Sequence, residues 1–257
     1  MLDIAEFTHC AGQNQQNDRL VYEHKPGTER LIAVLCDGLN GSRGGDMAAQ
    51  ICSTASLEAL TAGANVETAV VLAGQALQKA QQREQELRTA ASTIAVLRLE
   101  QGKVTWANLG DSRIYHLSGR DIAHISVDDS PAYADYKRGS LAYEDIRLQK
   151  ERSHLSAALC ASYDPEVNKA HVDEFYLKDG DGLLLCSDGL WSYVFETEIF
   201  IEWLKATSAQ DWLERLLLRC IQRSLLDGDN VSMLTCLYSS SVKDQETFVR
   251  EDSKNGK

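Results

Sequence analysis

The segment LIAVLCDGLNGSRGGDMAAQI, residues 31–51, leads a buried strand into a helix through an acidic, glycine-rich turn. The apolar run 31–36 has the length expected of a buried strand. The run stops at Asp37 and Gly38, and small apolar residues then recur at helical spacing over 48–59. A carboxylate that ends a buried strand needs a partner, because an unpaired buried charge costs several kcal/mol.

The composition is that of an acidic globular protein. The chain has 257 residues, of which 44% are apolar, so it can bury a sizeable core. Its net charge of −12 argues against nucleic acid and against an anionic membrane as main partners. The first residues lack the basic and apolar regions of a signal peptide, and no apolar run approaches the ~18 residues of a membrane span. We therefore expect a cytoplasmic protein.

The cysteines support a reducing environment. The chain has seven of them, dispersed without CxxC spacing and mostly within apolar stretches. An odd, dispersed set is typical of buried free thiols, whereas a zinc site needs closely spaced pairs. We expect no disulfide.

Apolar runs and helical spacing predict an α+β fold with antiparallel sheets. Six runs are predicted as strands: 31–36, 93–99, 104–108, 113–117, 183–186 and 231–238. Two pairs of helices are predicted: 48–59 with 67–88, and 196–205 with 213–224. The three runs within 93–117 are joined by short glycine turns and are interpreted as a meander. Helices in pairs and strands in hairpins favour α+β over an alternating βαβ chain.

The sequence indicates one domain. Pro is rare, no Pro/Ser-rich linker divides the sequence, and no internal repeat is found. The domain is predicted over residues 1–238, followed by a polar tail, 239–257, that we expect to be flexible.

Three more aspartates repeat the pattern of Asp37. Asp111 follows a strand in VTWANLGDSR, Asp188 follows one in GLLLCSDGLW, and Asp229 precedes the last strand in LLDGDNVSMLTCLY. Few Lys or Arg residues are near enough in sequence to pair all four, and hard divalent cations prefer oxygen ligands. A single Asp-Gly pair after a strand is usually a turn, so spacing alone leaves both interpretations open.

Four blocks in order resemble those of a known family. They are DGLNGSRGGDMAA at 37–49, NLGDSRIYHL at 108–117, SDGLWS at 187–192 and DNVSMLTCLY at 229–238. In these blocks and their separations the chain resembles the metal-dependent Ser/Thr protein phosphatases of type 2C, in particular the compact bacterial members. The resemblance covers about residues 8–238.

The resemblance implies a four-layer α-β-β-α sandwich, in which two antiparallel sheets are flanked by helix pairs. It also implies a centre of two Mn²⁺ or Mg²⁺ ions at one edge of the sandwich. By resemblance Asp37 bridges the two ions and the Gly38 carbonyl ligates one of them, while Asp188 and Asp229 hold the other. Asp111 matches a position that holds a third ion in some members.

The activity that the resemblance implies is hydrolysis of phosphoserine and phosphothreonine in proteins by a metal-bridging hydroxide. Asp37 would position this hydroxide, and Asp18 would act through metal-bound water. The partners implied are a phosphorylated protein substrate and a cognate Ser/Thr kinase.

The sequence departs from the family at the phosphate-binding position. Gln13 stands where the family usually has an Arg that grips the substrate phosphate, and Asn17 stands where it has a Glu. Arg19 and Arg43 lie near the blocks and are candidates to replace the missing cation. Two alternatives stay open: a pseudophosphatase that binds a phosphoprotein and keeps a structural metal site, and a stress-response phosphatase that acts on a small regulator.

Overall fold

Two antiparallel sheets of five strands each make up the centre of the protein, in a computed structural model that describes residues 1–39, 44–224 and 228–240. The strands are β1 Leu2–His9, β2 Asp18–His24, β3 Arg30–Asp37, β4 Ile94–Glu100, β5 Lys103–Leu109, β6 Arg113–Ser118, β7 Asp121–Ile125, β8 His171–Tyr176, β9 Gly182–Cys186 and β10 Val231–Tyr238. The first sheet has the order β1-β10-β9-β6-β7, and the second has the order β2-β3-β4-β5-β8. Because β1 pairs with β10, Leu2 lies opposite Tyr238.

Helices cover the outer face of each sheet. The helices are α1 Gly45–Thr61, α2 Val66–Arg83, α3 Pro131–Lys137, α4 Asp188–Trp191, α5 Glu196–Lys205 and α6 Ala209–Ser224, with 3₁₀ turns at Gln85–Leu87 and Tyr143–Leu148. Helices α1 and α2 pack on the second sheet, and α4 to α6 pack on the first. This confirms the predicted four-layer α-β-β-α sandwich.

The continuous apolar run of β3 is explained by burial on both faces. Its alternate residues Ile32 and Val34 pack against α1 and α2, while Leu31 and Leu35 pack between the two sheets. A strand covered on both sides needs apolar residues at every position, which removes the usual alternation.

The six predicted runs are the six central strands, and the predicted helix 196–205 agrees with α5. The predicted helix 67–88 is too long, since α2 ends at Arg83 and a 3₁₀ turn follows. The four strands that no predicted run covers are β1, β2, β7 and β8, the outermost strands of the two sheets. Their faces are only partly buried, so their sequences mix polar and apolar residues.

The predicted meander over 93–117 is wrong. Strands β4 and β5 form a hairpin, but β6 belongs to the other sheet, where it pairs with β7 and β9. The chain changes sheets at Gly110, whose φ of 107° lies in a region that glycine tolerates and other residues avoid. A glycine that looked like a hairpin turn is therefore the crossover between the sheets.

The cysteines are present as free thiols in the structure. All seven cysteines are free, five of them buried and Cys10 and Cys160 half-buried. Among the described helices, none combines the length and the apolarity needed to cross a membrane. Of the predicted tail, residues 241–257 lie outside the described part of the chain.

Candidate metal centre

Two aspartates face each other where β2 begins and β3 ends. Asp18 is paired with Asp37 in the antiparallel register, so both side chains project from the same face of the sheet. Asp18 is buried, and its Oδ2 accepts a hydrogen bond from Ser187 Oγ at 2.8 Å. Ser187 immediately precedes Asp188, so this bond joins the strand ends of the two sheets.

Two further aspartates are brought together by a glycine contact. Asp188 begins α4, and Asp229 lies two residues before β10. Gly189 packs so closely on Asn230 that a Cβ at position 189 would lie 1.9 Å from the Asn230 carbonyl oxygen. Only glycine allows this approach, and the contact brings the neighbouring Asp188 and Asp229 to the same edge of the sandwich.

Asp111 reaches this edge through a tryptophan. It follows β5 and the crossover at Gly110. The buried Trp191 donates a hydrogen bond from Nε1 to the carbonyl oxygen of Asp111 at 2.8 Å. Because Trp191 and Asp188 share the single turn of α4, this bond fixes the backbone of Asp111 beside Asp188.

Four of the five aspartates at this edge have a raised pKa, in each case first because of burial. The pKa of the Asp18 carboxyl is raised to about 7, mainly by burial and further by the charges of Asp188 and Asp229. Burial likewise raises the pKa of Asp188 to about 7, and the Asp229 carboxylate adds to this. At Asp37 and Asp111, burial and then the neighbouring carboxylates hold the pKa well above its usual range. We call these five residues the acidic cluster.

The acidic cluster has the chemistry of a hard-cation site. In residues 1–39, 44–224 and 228–240, no group of three or more His, Cys, Asp or Glu side chains could hold a metal ion as the side chains stand. The carboxylates nevertheless lie within electrostatic range of one another, and Oδ1 of Asp18 is buried without a hydrogen-bond partner. A buried carboxylate oxygen left without a donor is costly, and a divalent cation removes this cost.

The start of α1 lies directly against Gly38. A Cβ at Gly38 would lie 2.0 Å from the Gly45 carbonyl oxygen, so no larger residue fits there. The Gly38 amide donates to the Asn17 carbonyl at 3.2 Å. Gly38 is thereby held between the loop that precedes β2 and the first turn of α1, next to Asp37.

A guanidinium approaches the acidic cluster from the segment between β7 and β8. Arg152 is half-buried, and its Nε donates to Ser192 Oγ at 3.3 Å. The Ser192 amide donates to the Asp188 carbonyl at 2.9 Å, so Arg152 lies one helical turn from that aspartate. Its positive charge also opposes the upward shift of the Asp188 pKa.

Of the three residues predicted to bind phosphate, Gln13, Arg19 and Arg43, the two that the structure describes do not form a cluster as the aspartates do. Gln13 is exposed in the loop between β1 and β2. Arg19 uses its Nη1 to donate to the main-chain carbonyls of Gln16 and Asp18, at 2.9 and 2.8 Å. Arg43 lies outside the described residues.

A second group of buried charges lies on the other side of Trp191. The Arg113 guanidinium donates to Asp128 through Nε at 3.0 Å and Nη2 at 2.6 Å, and it stacks 3.8 Å from the centre of the Trp191 ring. Its Nη1 donates to Glu196 at 3.1 Å, and Glu196 also accepts a hydrogen bond from Arg147. We call Arg113, Asp128, Arg147 and Glu196 the paired cluster.

Sequence reasoning found the aspartates but missed Arg152, the hydrogen bond of Trp191 and the paired cluster. Ser187 and Trp191 stand inside the block SDGLWS, so the block itself was a signal for them. Arg152 lies in a segment without such a block, and its position depends on how that segment folds back onto α4. No local pattern in the sequence carries that information.

The fold and the acidic cluster together define a class: a two-sheet sandwich that gathers aspartates from both sheets at one edge. A family model described as protein phosphatase 2C matches residues 8–218. The chain therefore belongs to the protein phosphatase 2C family.

Individual relatives agree with this assignment. The chain is 31% identical to a serine/threonine phosphatase, stp, of Listeria monocytogenes, over 76% of this chain and 81% of the relative. The structure is similar to that of the serine/threonine phosphatase Stp1 from Staphylococcus aureus, with a TM-score of 0.82, 21% identity, and coverage of 93% of this chain and 96% of the other. It is also similar to the catalytic domain of the phosphatase PstP in complex with two manganese ions, with a TM-score of 0.77, 20% identity, and coverage of 93% and 99%.

Proposed function

We propose that this protein is a metal-dependent phosphatase that hydrolyses phosphoserine and phosphothreonine in protein substrates. The observation that carries the proposal is the acidic cluster, five aspartates at one edge of a protein phosphatase 2C sandwich with an unpartnered buried oxygen on Asp18. The similarity to a serine/threonine phosphatase of Listeria supports the same reaction.

The proposed ligands of two Mn²⁺ or Mg²⁺ ions are Asp37, the Gly38 carbonyl, Asp188 and Asp229, with Asp111 beside a third ion. All four carboxylates come from strand ends or turns whose backbones are fixed by the contacts described above. The similar catalytic domain of PstP was solved in complex with two manganese ions, which supports this choice of metal.

When bound, a pair of divalent cations lowers the pKa of water, so that it can attack phosphorus, and neutralises the phosphoryl oxygens. The side chains of the protein position the ions and the attacking water. Asp37 would hold the ions, and Asp18, paired with it across β2 and β3, would orient a metal-bound water.

We propose that Arg152 binds the substrate phosphate in place of the family Arg. Its guanidinium lies one helical turn from Asp188, whereas Arg19 is committed to main-chain carbonyls. An Arg–phosphate pair is charge-assisted and often bidentate, so it can offset the net negative charge of the acidic cluster toward an anionic substrate. Gln13, exposed in its loop, could add a neutral hydrogen bond to the same phosphate.

We also propose that a Ser/Thr kinase phosphorylates the protein substrates on which this phosphatase acts. The phosphatase would act in the cytoplasm. The seven free thiols support a reducing compartment. The pseudophosphatase alternative keeps the aspartates but predicts no turnover.

The test is hydrolysis of p-nitrophenyl phosphate and of a phosphothreonine peptide by metal-free protein, before and after addition of Mn²⁺ or Mg²⁺. We expect no phosphate release after exhaustive chelation and full recovery with either metal. Activity that survives chelation would exclude the two-metal mechanism. Manganese binding without phosphate release from either substrate would favour the pseudophosphatase.

A further inference from the structure

An apolar groove lies beside the acidic cluster, between α6 and the ends of β1 and β10. Its volume is about 300 Å³, and it is lined mainly by apolar side chains: Phe7, Ala11, Leu217, Cys220, Ile221 and Val231. Ile221 remains 57% exposed at its rim. We call this the α6 groove.

The α6 groove lies close to Asp229 of the acidic cluster. Val231 follows Asp229 by two residues, and a strand advances about 3.3 Å per residue, so the groove begins within about 7 Å of the Asp229 backbone. The Asn230 side chain donates to the carbonyls of Cys10 and Gln15, at 3.2 and 3.0 Å. These bonds fasten the loop that carries Ala11 to the segment that carries Asp229.

The lining of the groove indicates the kind of group that enters it. Among the described residues that line it, none is Asp, Glu, Lys or Arg, although the chain as a whole carries a net charge of −12. In its described part the groove has no carboxylate, and His9 and Ser224 are its polar side chains, so in so acidic a protein it favours an apolar group over a basic one. Its volume is at the lower end of the range for small-molecule sites, so it takes one or two side chains and not a whole helix.

On the basis of the proposed function, we propose that the α6 groove binds an apolar side chain of the phosphoprotein substrate, two to four residues from the phosphorylated residue. An extended peptide spans about 3.3 Å per residue, so a phosphoresidue at the acidic cluster places such a side chain about 7–13 Å away. The groove thereby selects substrates by a neighbouring apolar residue, while the acidic cluster acts on the phosphate.

The experiment uses peptides that carry a non-hydrolysable phosphonate analogue of phosphoserine in a Gly/Ser background. A single Leu is moved through each position from four residues before to four residues after the analogue. Affinity for the manganese-loaded protein is measured by fluorescence anisotropy. We expect one or two adjacent positions to bind five- to tenfold more tightly than the peptide without Leu, which corresponds to about 1–1.4 kcal/mol.

Two matched variants locate the effect. Ile221→Gln alters the groove, while Leu218→Gln makes the same kind of change on the same helix at a residue that is 61% exposed and does not line the groove. We expect Ile221→Gln to abolish the preference for Leu and Leu218→Gln to leave it intact. Both variants should bind the peptide without Leu as tightly as the wild type does, because that peptide offers the groove no apolar side chain.

Three results would overturn the inference: no preferred position for Leu, equal loss of preference in both variants, or a dimer in sedimentation that only Ile221→Gln disperses. The last would assign the groove to a second copy of the chain. A Leu preference without hydrolysis of any substrate would instead contradict the proposed function and leave the groove as a phosphoprotein-binding surface.

Discussion

The acidic cluster and the paired cluster are separated by Trp191 and solve the problem of buried charge in opposite ways. In the paired cluster every carboxylate meets a guanidinium, and Arg113 stacks on one face of the indole. In the acidic cluster the indole N–H is bonded to a main-chain carbonyl, and the carboxylates face one another.

The difference indicates that the charges of the paired cluster stabilise the fold, whereas those of the acidic cluster are available to bind cations. A buried ion pair that is complete holds segments in register and needs nothing from outside. A buried group of like charges raises its own pKa values and is satisfied only by protons or by cations. The segment between β7 and β8 contributes Asp128 and Arg147 to the paired cluster. The same segment contributes Arg152 to the edge of the acidic cluster. The ion pairs of the paired cluster therefore help to position Arg152 beside the acidic cluster.

Matched Asp→Asn variants give the largest expected effect. Asp188→Asn should lower phosphatase activity by about a thousandfold or more, because even residues behind a metal ligand are worth roughly 10–100-fold. It should also stabilise the metal-free protein, since it removes a repelled charge. Asp128→Asn should do the reverse, lowering stability while leaving manganese affinity within a few-fold. Calorimetry of both variants without metal checks this, and equal shifts of Tm would contradict the distinction.

Removal of one cation from the paired cluster should cost the most stability. Arg113→Met leaves Asp128 buried without its partner, and breaking a buried pair costs about 3–5 kcal/mol. The control is Arg98→Met, which breaks the partly exposed pair with Glu100 and should cost less than about 1 kcal/mol. Urea unfolding measures both. A loss at Arg113 no greater than that at Arg98 would show that the paired cluster adds little.

The pH dependence of the metal-free protein should come from the acidic cluster. Asp18 and Asp188 have folded-state pKa values of about 7 against the ordinary 3.8, so the folded state holds protons that the unfolded chain has already lost. Stability should therefore fall by a few kcal/mol as pH rises from about 4 to 7, and then level off. Saturating Mn²⁺ should suppress this fall, so the metal should raise Tm more at pH 8 than at pH 5. Thermal unfolding across this range tests it, and a metal-free profile that is flat or rises would contradict it.

The smallest expected effect belongs to Arg152. Arg152→Gln should raise KM for a phosphomonoester about tenfold, since a charge-assisted hydrogen bond is worth roughly 1.5–3 kcal/mol and a neutral one about 1 kcal/mol. Manganese affinity should not weaken, because the lost cation repels the metal. Arg19→Gln is the matched control and should leave KM unchanged. If Arg19→Gln raises KM and Arg152→Gln does not, the assignment of the phosphate-binding residue is reversed.

The sequence was most informative where burial is complete. Central strands such as β3 and β10 are mostly apolar and almost completely buried, and their boundaries could be predicted to within a residue or so. Outer strands are half-exposed, and β8 alternates too weakly to stand out. The crossover at Gly110 looked like a hairpin turn because a glycine turn and a change of sheet have the same local sequence.

Some residues of the candidate site could be predicted from the sequence, and others could not. Strand-end aspartates carry a local signature, so Asp37, Asp111, Asp188 and Asp229 could be proposed as ligands from sequence, with the family blocks supplying their roles. Arg152 and the α6 groove depend on contacts between segments far apart in the chain. Such contacts follow from the packing of the whole domain, which no short pattern encodes.

The pairing of β1 with β10 has a consequence for synthesis. On the ribosome β1 emerges first, yet its neighbour in the first sheet is the last described strand to be made. The second sheet is complete once β8 has emerged, and it can fold while the first still lacks its centre. Asp229, beside β10, is therefore the last aspartate of the acidic cluster to arrive. The catalytic edge stays incomplete, and phosphatase activity cannot begin, until β10 has left the exit tunnel.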